Sequence, residues 1–386
     1  VNPALNLFPL PSASLTKENQ FSEISMLTKK FVLSAIAAPA LILATLAASS
    51  TPKSAARNAA DAAPAPAPPG YHLLKKVPLG GDTGWDYLAF DSPTRRLFIS
   101  RGLKVVVLNV DTGTVAGEIP DTDGVHGIAF APELDRGFTS NGRAGTVTIF
   151  DLKTLQVIGT AKAGMNPDAI VYDPASKRVF TMNGHSNDAT AIDAASGNVL
   201  GTIPVTGKPE FAVADGAGHV YVNIEDKSEE LQIDTQSLKV TAQWPLAPCQ
   251  EPSGLAMDIA HRRLFAGCHN EMMAVVDADS GKVIATPPIG DGVDANAFDP
   301  GTGFAFASNG QSATLTVVHE DAPDKFSVVE NVATQRGART MALDPKSHEV
   351  YLVTADFAPA PSSANENPKP RMMAVPGSFV VLIYAK

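Results

Sequence analysis

A short apolar phrase ending in an acidic turn recurs seven times along this chain, and the recurrence limits the fold more than any other feature. The copies are "WDYLAFD" (85–91), "VHGIAFA" (125–131), "PDAIVYD" (167–173), "PEFAVAD" (209–215), "PSGLAMD" (252–258), "VDANAFD" (293–299) and "ARTMALD" (338–344). Their last residues lie 40, 42, 42, 43, 41 and 45 positions apart. A second run follows each copy ("RLFIS", "RGFTS", "RVFTM", "HVYVN", "RLFAG", "GFAFAS", "EVYLVT"), then a loop that is often Asn-Gly. A third run such as "TVTIFD" and a turn such as "DAASGNV" lead to a fourth. Four short β-rich runs separated by turn residues make one antiparallel sheet. A period in the forties with strand content is that of a β-propeller blade. No helical periodicity appears after Tyr71.

The two ends complete each other. The seventh copy stops at its third strand, "SFVVLIYAK" (378–386), while "YHLLKKVPL" (71–79) precedes the first copy without a repeat of its own. If the N-terminal strand supplies the missing fourth strand, the ring has no open end. The expected fold is all-β: a seven-bladed propeller of four-stranded antiparallel blades spanning 71–386.

The first seventy residues read differently. Lys29 and Lys30 precede an apolar stretch from Phe31 to Ala47 and a small-residue exit, the layout of a secretory signal peptide over 26–50. A retained membrane anchor is the alternative, since the run approaches spanning length. With Met26 as the start, residues 1–25 are an upstream mistranslation or a disordered leader. Residues 51–70 are an Ala/Pro-rich linker. The expected location is periplasmic or secreted, with no membrane span after signal removal and a monomeric state.

The repeats resemble the YVTN-type (YncE-like) β-propellers in a secreted form. The name-giving phrase is matched by Tyr221-Val222-Asn223 and, diluted, by "FTSNG", "FTMNG" and "FASNG". The block "GARTMALDP…YLVTADF…PGSFVVLIYAK" resembles the closing blade of such proteins. The resemblance spans Tyr71–Lys386. It implies a non-enzymatic binding or scaffold protein of the cell envelope, but propellers host many unrelated activities.

In antiparallel order the loops before strand one and after strand two open on one face. The residues that open the first strands are Asp86, His126, Asp168, Glu210, Ser253, Asp294 and Arg339, and seven blades bring them around one mouth. Trp85 precedes the first. The loops after strand two add Arg101, Asn141, Asn183, His185, Glu225, Asp226, His269, Glu271, Asn309 and Asp356. Several of these are also what Asx-turns and strand ends require. As a functional set they make a polar, net-acidic funnel for a small polar or cationic ligand. A divalent metal, Zn or Ca, is a further option. His126, His185 and His269 with Asp168 and Glu210 offer imidazole and carboxylate ligands, although no local His-x-x-x-His supports them. His72, His219, His261, His319 and His348 read as ordinary surface or satisfied residues. Cys249 and Cys268 both approach the mouth face from neighbouring strands, so a disulfide between them is expected in an exported protein, against two separate buried thiols.

Other signals fail. Trp85-Asp86 opens a first strand, whereas the Trp-Asp of WD40 repeats closes a third. "DADSGKV" and "DAASGNV" lack the docking Trp of quinone-cofactor propellers. "GTGFAF" lacks the third glycine of a dinucleotide loop. No Gly-x-Ser-x-Gly, Ser-x-x-Lys or His-Glu-x-x-His occurs. The net charge of −10 argues against a nucleic-acid partner. The competing function is a propeller enzyme, a lactonase or metal-assisted lyase, with His126 and Asp168 or Glu210 as acid and base. A third is docking of an envelope protein, with the Pro-rich loop 357–377 as contact, lid or plain tether.

Overall fold

The computed structural model describes residues 70–81, 84–359 and 372–386. The segment assignments over 1–25, 26–50 and most of 51–70 lie outside it. The described residues form seven four-stranded antiparallel sheets, plus a two-stranded hairpin of Phe357–Pro359 with Met372–Ala374. Among the described residues, helix is limited to the single 3-10 turns Pro132–Leu134 and Glu225–Lys227. No helix among the described residues is long and apolar enough to cross a membrane.

Blades 1 to 6 each run in sequence order, from Leu88–Asp91 as the first strand of blade 1 to Lys325–Ala333 as the fourth of blade 6. Blade 7 is composite. Met341–Asp344, Glu349–Thr354 and Val380–Ala385 supply three strands, and His72–Pro78 pairs with Val380–Ala385 as the outermost. The termini therefore share one sheet, as the unpaired ends predict.

Second strands carry buried residues on both faces because they stack against blades on either side. In Arg136–Asn141 everything after the first residue is buried, whereas the outer strand Val157–Lys162 is largely exposed. Aromatic rings fill the joints between blades: Phe98 packs edge-on against Phe130 at 4.9 Å, and Phe265 stacks on Phe298 at 5.2 Å. Burying each such ring stabilises by about 1.5–3 kcal/mol.

The asparagines at the ends of second strands turn inward. Asn141, Asn183 and Asn309 are fully buried. The Asn141 amide donates to Thr146 and Thr148, that of Asn183 to Asp188 and Thr190, and that of Asn309 to Thr314 and Thr316. They pin strand two to strand three of their own blade and contribute no side chain to the mouth, which is the role strand-end amides often take. Asn223 is different. Its ladder neighbour Ile224 opposes Glu229 as Asn141 opposes Thr146, so Asn223 sits one position earlier than the other asparagines. The match of Tyr221-Val222-Asn223 to the name-giving phrase is thus out of register with the pinning asparagines. The Asn223 amide reaches the next blade, donating to the carbonyl of Ser253 at 2.8 Å.

Cys249 and Cys268 form a disulfide across the first hairpin of blade 5, 19 residues apart in sequence. A loop of that length constrains the unfolded chain by about 3 kcal/mol. Cys268→Ala should lose about that much, read as a fall in melting temperature that added reductant reproduces in the parent and not in the variant.

Candidate functional site

The residues that open the first strands do meet at one end of the ring. His126 Nδ1 lies 2.5 Å from Asp86 Oδ2 and 3.8 Å from Asp168 Oδ1. Arg339 stands 3.7 Å from Asp86 and 2.8 Å from Asp294, the latter without the alignment of a hydrogen bond. Lys208 bridges Glu210, at 2.9 Å, and Glu225. Ser253 Oγ lies 3.3 Å from Asp294 Oδ1. Five carboxylates thus face two permanent cations and one imidazole.

The blades hold these residues by their backbones. The hydroxyl of Ser100 in blade 1 donates to the His126 carbonyl of blade 2, that of Ser140 to the Asp168 carbonyl, and that of Ser308 to the Arg339 carbonyl. Asn223 does the same for Ser253. One polar residue near the end of strand two therefore sets the next blade's mouth residue. Gly142 gives His126 its space: an added Cβ would come 2.6 Å from Nε2.

Beneath the mouth lies a floor that inspection of the ring residues alone did not reveal. Tyr87 of blade 1 and Phe211 of blade 4 meet across the ring axis, centroids 5.1 Å apart. The same position in the other blades holds Gly127, Ala169, Gly254, Ala295 and Thr340. Two bulky rings among five smaller residues were visible in the aligned repeats, and that contrast was the available signal. The paired rings stand one residue along their strands from the mouth acids Asp86 and Glu210, and the mouth with this pair is here called a cup. Its larger recess, ≈ 900 Å³, lies over blades 1 to 3 and includes Trp85, Asp86, His126, Arg143, Asn166 and His185 in its lining. A second, of ≈ 370 Å³, carries His269, Asp294, Arg336 and Arg339.

Burial shapes the electrostatics. It pushes the Asp168 carboxyl up to about 8, with the charges of Asp86, Glu210 and Asp294 adding and His126 opposing. Burial also raises Glu210 despite Lys208, and Asp294 despite Arg339. For His126 burial opposes the charged form, but the bond to Asp86 and the Asp168 charge prevail and hold the imidazole above its ordinary value. The Tyr87 phenol is raised by burial and then by the surrounding carboxylates.

The other residues expected at the mouth take varied places. Trp85 packs on Phe357 and Phe379 at the cup wall. Arg101 is buried, donating to the Gly84 and Gly80 carbonyls with its guanidinium 3.7 Å over Phe379, so it braces the closing segment rather than the cup. Asp356 is exposed and accepts from Gln335. For a metal, Asp86, His126 and Asp168 offer three ligand atoms within 4.8 Å of one another, and Glu210, His185 and His269 lie outside that set. Two carboxylates and an imidazole suit zinc; calcium wants six or more oxygens.

The site and fold define a seven-bladed β-propeller with an acidic, floored cup. No family model matches the chain, and no curated protein matches it in sequence. Among solved structures, hydrazine synthase of Kuenenia stuttgartiensis is similar in backbone, with a TM-score of 0.62 at 16% identity, covering 71% of this chain and 94% of that one. At that identity the likeness is one of fold.

Proposed function

We propose that this chain is a binding protein of the cell envelope whose cup takes a small cationic ligand. The carrying observation is the arrangement of Asp86, Asp168, Glu210, Glu225 and Asp294 around the Tyr87–Phe211 pair, with Arg339, Lys208 and His126 in direct contact with them. Carboxylates around an aromatic surface are what an organic amine or quaternary ammonium finds favourable. A ≈ 900 Å³ recess is wide for a lone ion and suited to a small molecule. The envelope location rests on the signal-like segment at 26–50, and the disulfide is compatible with it.

Because Asp168 keeps its proton up to about 8, an arriving cation should displace it. Affinity for a cation then rises with pH through that value, with a proton released on binding. Calorimetry of the chain with a diamine and with a quaternary ammonium at pH 6 and 9 measures both effects. Asp168→Asn should abolish the pH dependence. Equal binding of a neutral analogue, or an unchanged pH profile in Asp168→Asn, would overturn the proposal, and so would a tight, salt-sensitive complex with an oligonucleotide.

A second reading is favoured by the Asp86–His126–Asp168 geometry, an imidazole held by one carboxylate with a second acid near the same nitrogen. That is a workable general acid–base set. Hydrolysis of a sugar-lactone panel that is lost in His126→Ala would establish it in place of simple binding.

A further inference from the structure

On the opposite face, the Asp ending a first strand is buried in blades 3 to 7, as Asp173, Asp215, Asp258, Asp299 and Asp344. Each accepts a backbone N–H two residues on, forming an Asx-turn. At three joints the following blade supplies a basic side chain to it: Arg262 to Asp215 at 3.1 Å, His348 to Asp299 at 2.7 Å and Arg95 to Asp344 at 2.5 Å. All three donors occupy the residue just before strand two at positive φ (56°, 60° and 56° for Arg262, His348 and Arg95). Non-glycine residues there carry backbone strain, and the side chain's reach to the neighbouring Asp offsets it.

The joint between blades 5 and 6 breaks this pattern. The corresponding residue of blade 6 is Gly303, with no side chain to offer Asp258. In place of a cation, blade 6 presents another acid. Its third strand runs on to Ala322, nine residues against five or six in the other blades, and carries Glu320 to the joint. His261 Nδ1 stands 2.6 Å from Asp258 Oδ2 and 3.3 Å from Glu320 Oε1. The three ligand atoms lie within 4.8 Å of one another. The Glu320 side chain is 5% exposed, and its Oε1 has no well-formed hydrogen bond, since His261 Nδ1 is engaged by Asp258. The cluster opens on a recess of ≈ 250 Å³ that includes Gly303, Phe298, Pro300 and Pro323 in its lining. Asp173 also faces a glycine, Gly218, but among the described residues it belongs to no comparable ligand cluster.

We propose that Asp258, His261 and Glu320 form a binding site for a divalent transition ion, zinc foremost, that locks blade 5 to blade 6. Two hard carboxylates and one imidazole are a zinc ligand set, and the recess leaves the fourth position to water or a small ligand. Tetrahedral zinc places its ligand atoms about 3.3 Å apart, so His261, which is exposed, must draw back from Asp258 while holding its present distance to Glu320. The ion supplies the positive charge that an arginine supplies at the joints of Asp215 and Asp344.

The test is a titration of the chelator-stripped full chain with zinc chloride against a competing dye, repeated with cobalt for its ligand-field absorption. The expected result is one zinc at this site. Its affinity should fall by at least about tenfold in Glu320→Gln and in His261→Ala, and stay unchanged in Asp168→Asn, which alters only the cup. Bound zinc should raise the melting temperature of the parent and not of Glu320→Gln. His261→Ala removes an exposed side chain and so separates lost metal from lost folding. Zinc affinity untouched by both variants would overturn the proposal, as would binding weaker than about 1 mM. Loss of all zinc in Asp168→Asn alone would place the metal in the cup instead.

Discussion

Glu230→Met should stabilise the protein by about 3 kcal/mol at pH 7, and by progressively less as the pH falls towards 4.5. Glu230 is fully buried, and neither carboxylate oxygen has a hydrogen-bond partner. Burial alone pushes its carboxyl from 4.5 up to about 8. Between those values the folded chain holds a proton that the unfolded chain has released. The stability tied to the neutral acid is therefore whole below 4.5 and lost as the pH rises through about 8. Methionine fills similar space without a charge. Chemical unfolding at pH 5 and pH 8 checks this: the parent should lose stability between them, and the variant should lose less. Some slope should remain, because Asp168 and Glu320 are raised in the same way. A variant with the parent's slope would refute the argument.

Glu230 also shows where repeat patterning and local chemistry part. The matching position in other blades is Val105, Val147, Ala189, Met273 and Leu315, all buried. One acid in an apolar column was readable once the blades were aligned, but the column itself needs strand register, which the repeat phrase alone does not set. The seven-bladed ring and its closure by 71–79 were legible because both follow from period and from unpaired ends. The convergence of Asp86, His126, Asp168, Glu210, Asp294 and Arg339 was legible for the same reason. The inward turn of Asn141, Asn183 and Asn309 was not, since a strand-end amide serves a mouth or a threonine ladder equally well in sequence. The Glu320 cluster was invisible: it depends on a strand being three residues longer and on Gly303 standing where two other joints carry an arginine.

The two faces of the ring treat charge differently. On the cup face the acids exceed the basic side chains paired with them, and burial raises Asp168, Glu210 and Asp294 above their ordinary values. On the hairpin face, basic side chains of the following blade meet the buried acids Asp215, Asp299 and Asp344 and bind blade to blade, which the joint at Asp258 lacks.

The largest loss is expected from Arg95→Ala, at the seam where the ring closes. Arg95 Nη1 lies 2.5 Å from Asp344, Nη2 2.7 Å from Glu349 and Nε 3.1 Å from Asp111. Its partners in blade 7 are buried, with side chains 1% and 16% exposed. Removing the guanidinium leaves two buried carboxylates without it, which costs about 3–5 kcal/mol. Lys104→Ala, which breaks the exposed pair with Glu118, should cost no more than about 1 kcal/mol. Burial alone would raise Asp344 and Glu349. Hydrogen bonds from Ser92, Ser347 and the Lys346 amide, with the Arg95 charge, hold Asp344 below its ordinary value, and Arg95, Tyr351 and Ser347 do so for Glu349. Groups lowered in this way contribute stability above their ordinary values of 3.8 and 4.5, and it is lost as the pH falls through the folded values. Without Arg95 that loss should begin at higher pH. Acid unfolding followed by circular dichroism from pH 7 to 2 should therefore show a midpoint shifted upward in Arg95→Ala and unshifted in Lys104→Ala. Coincident midpoints would mean that strand pairing by His72–Pro78 closes the ring without help from the clamp.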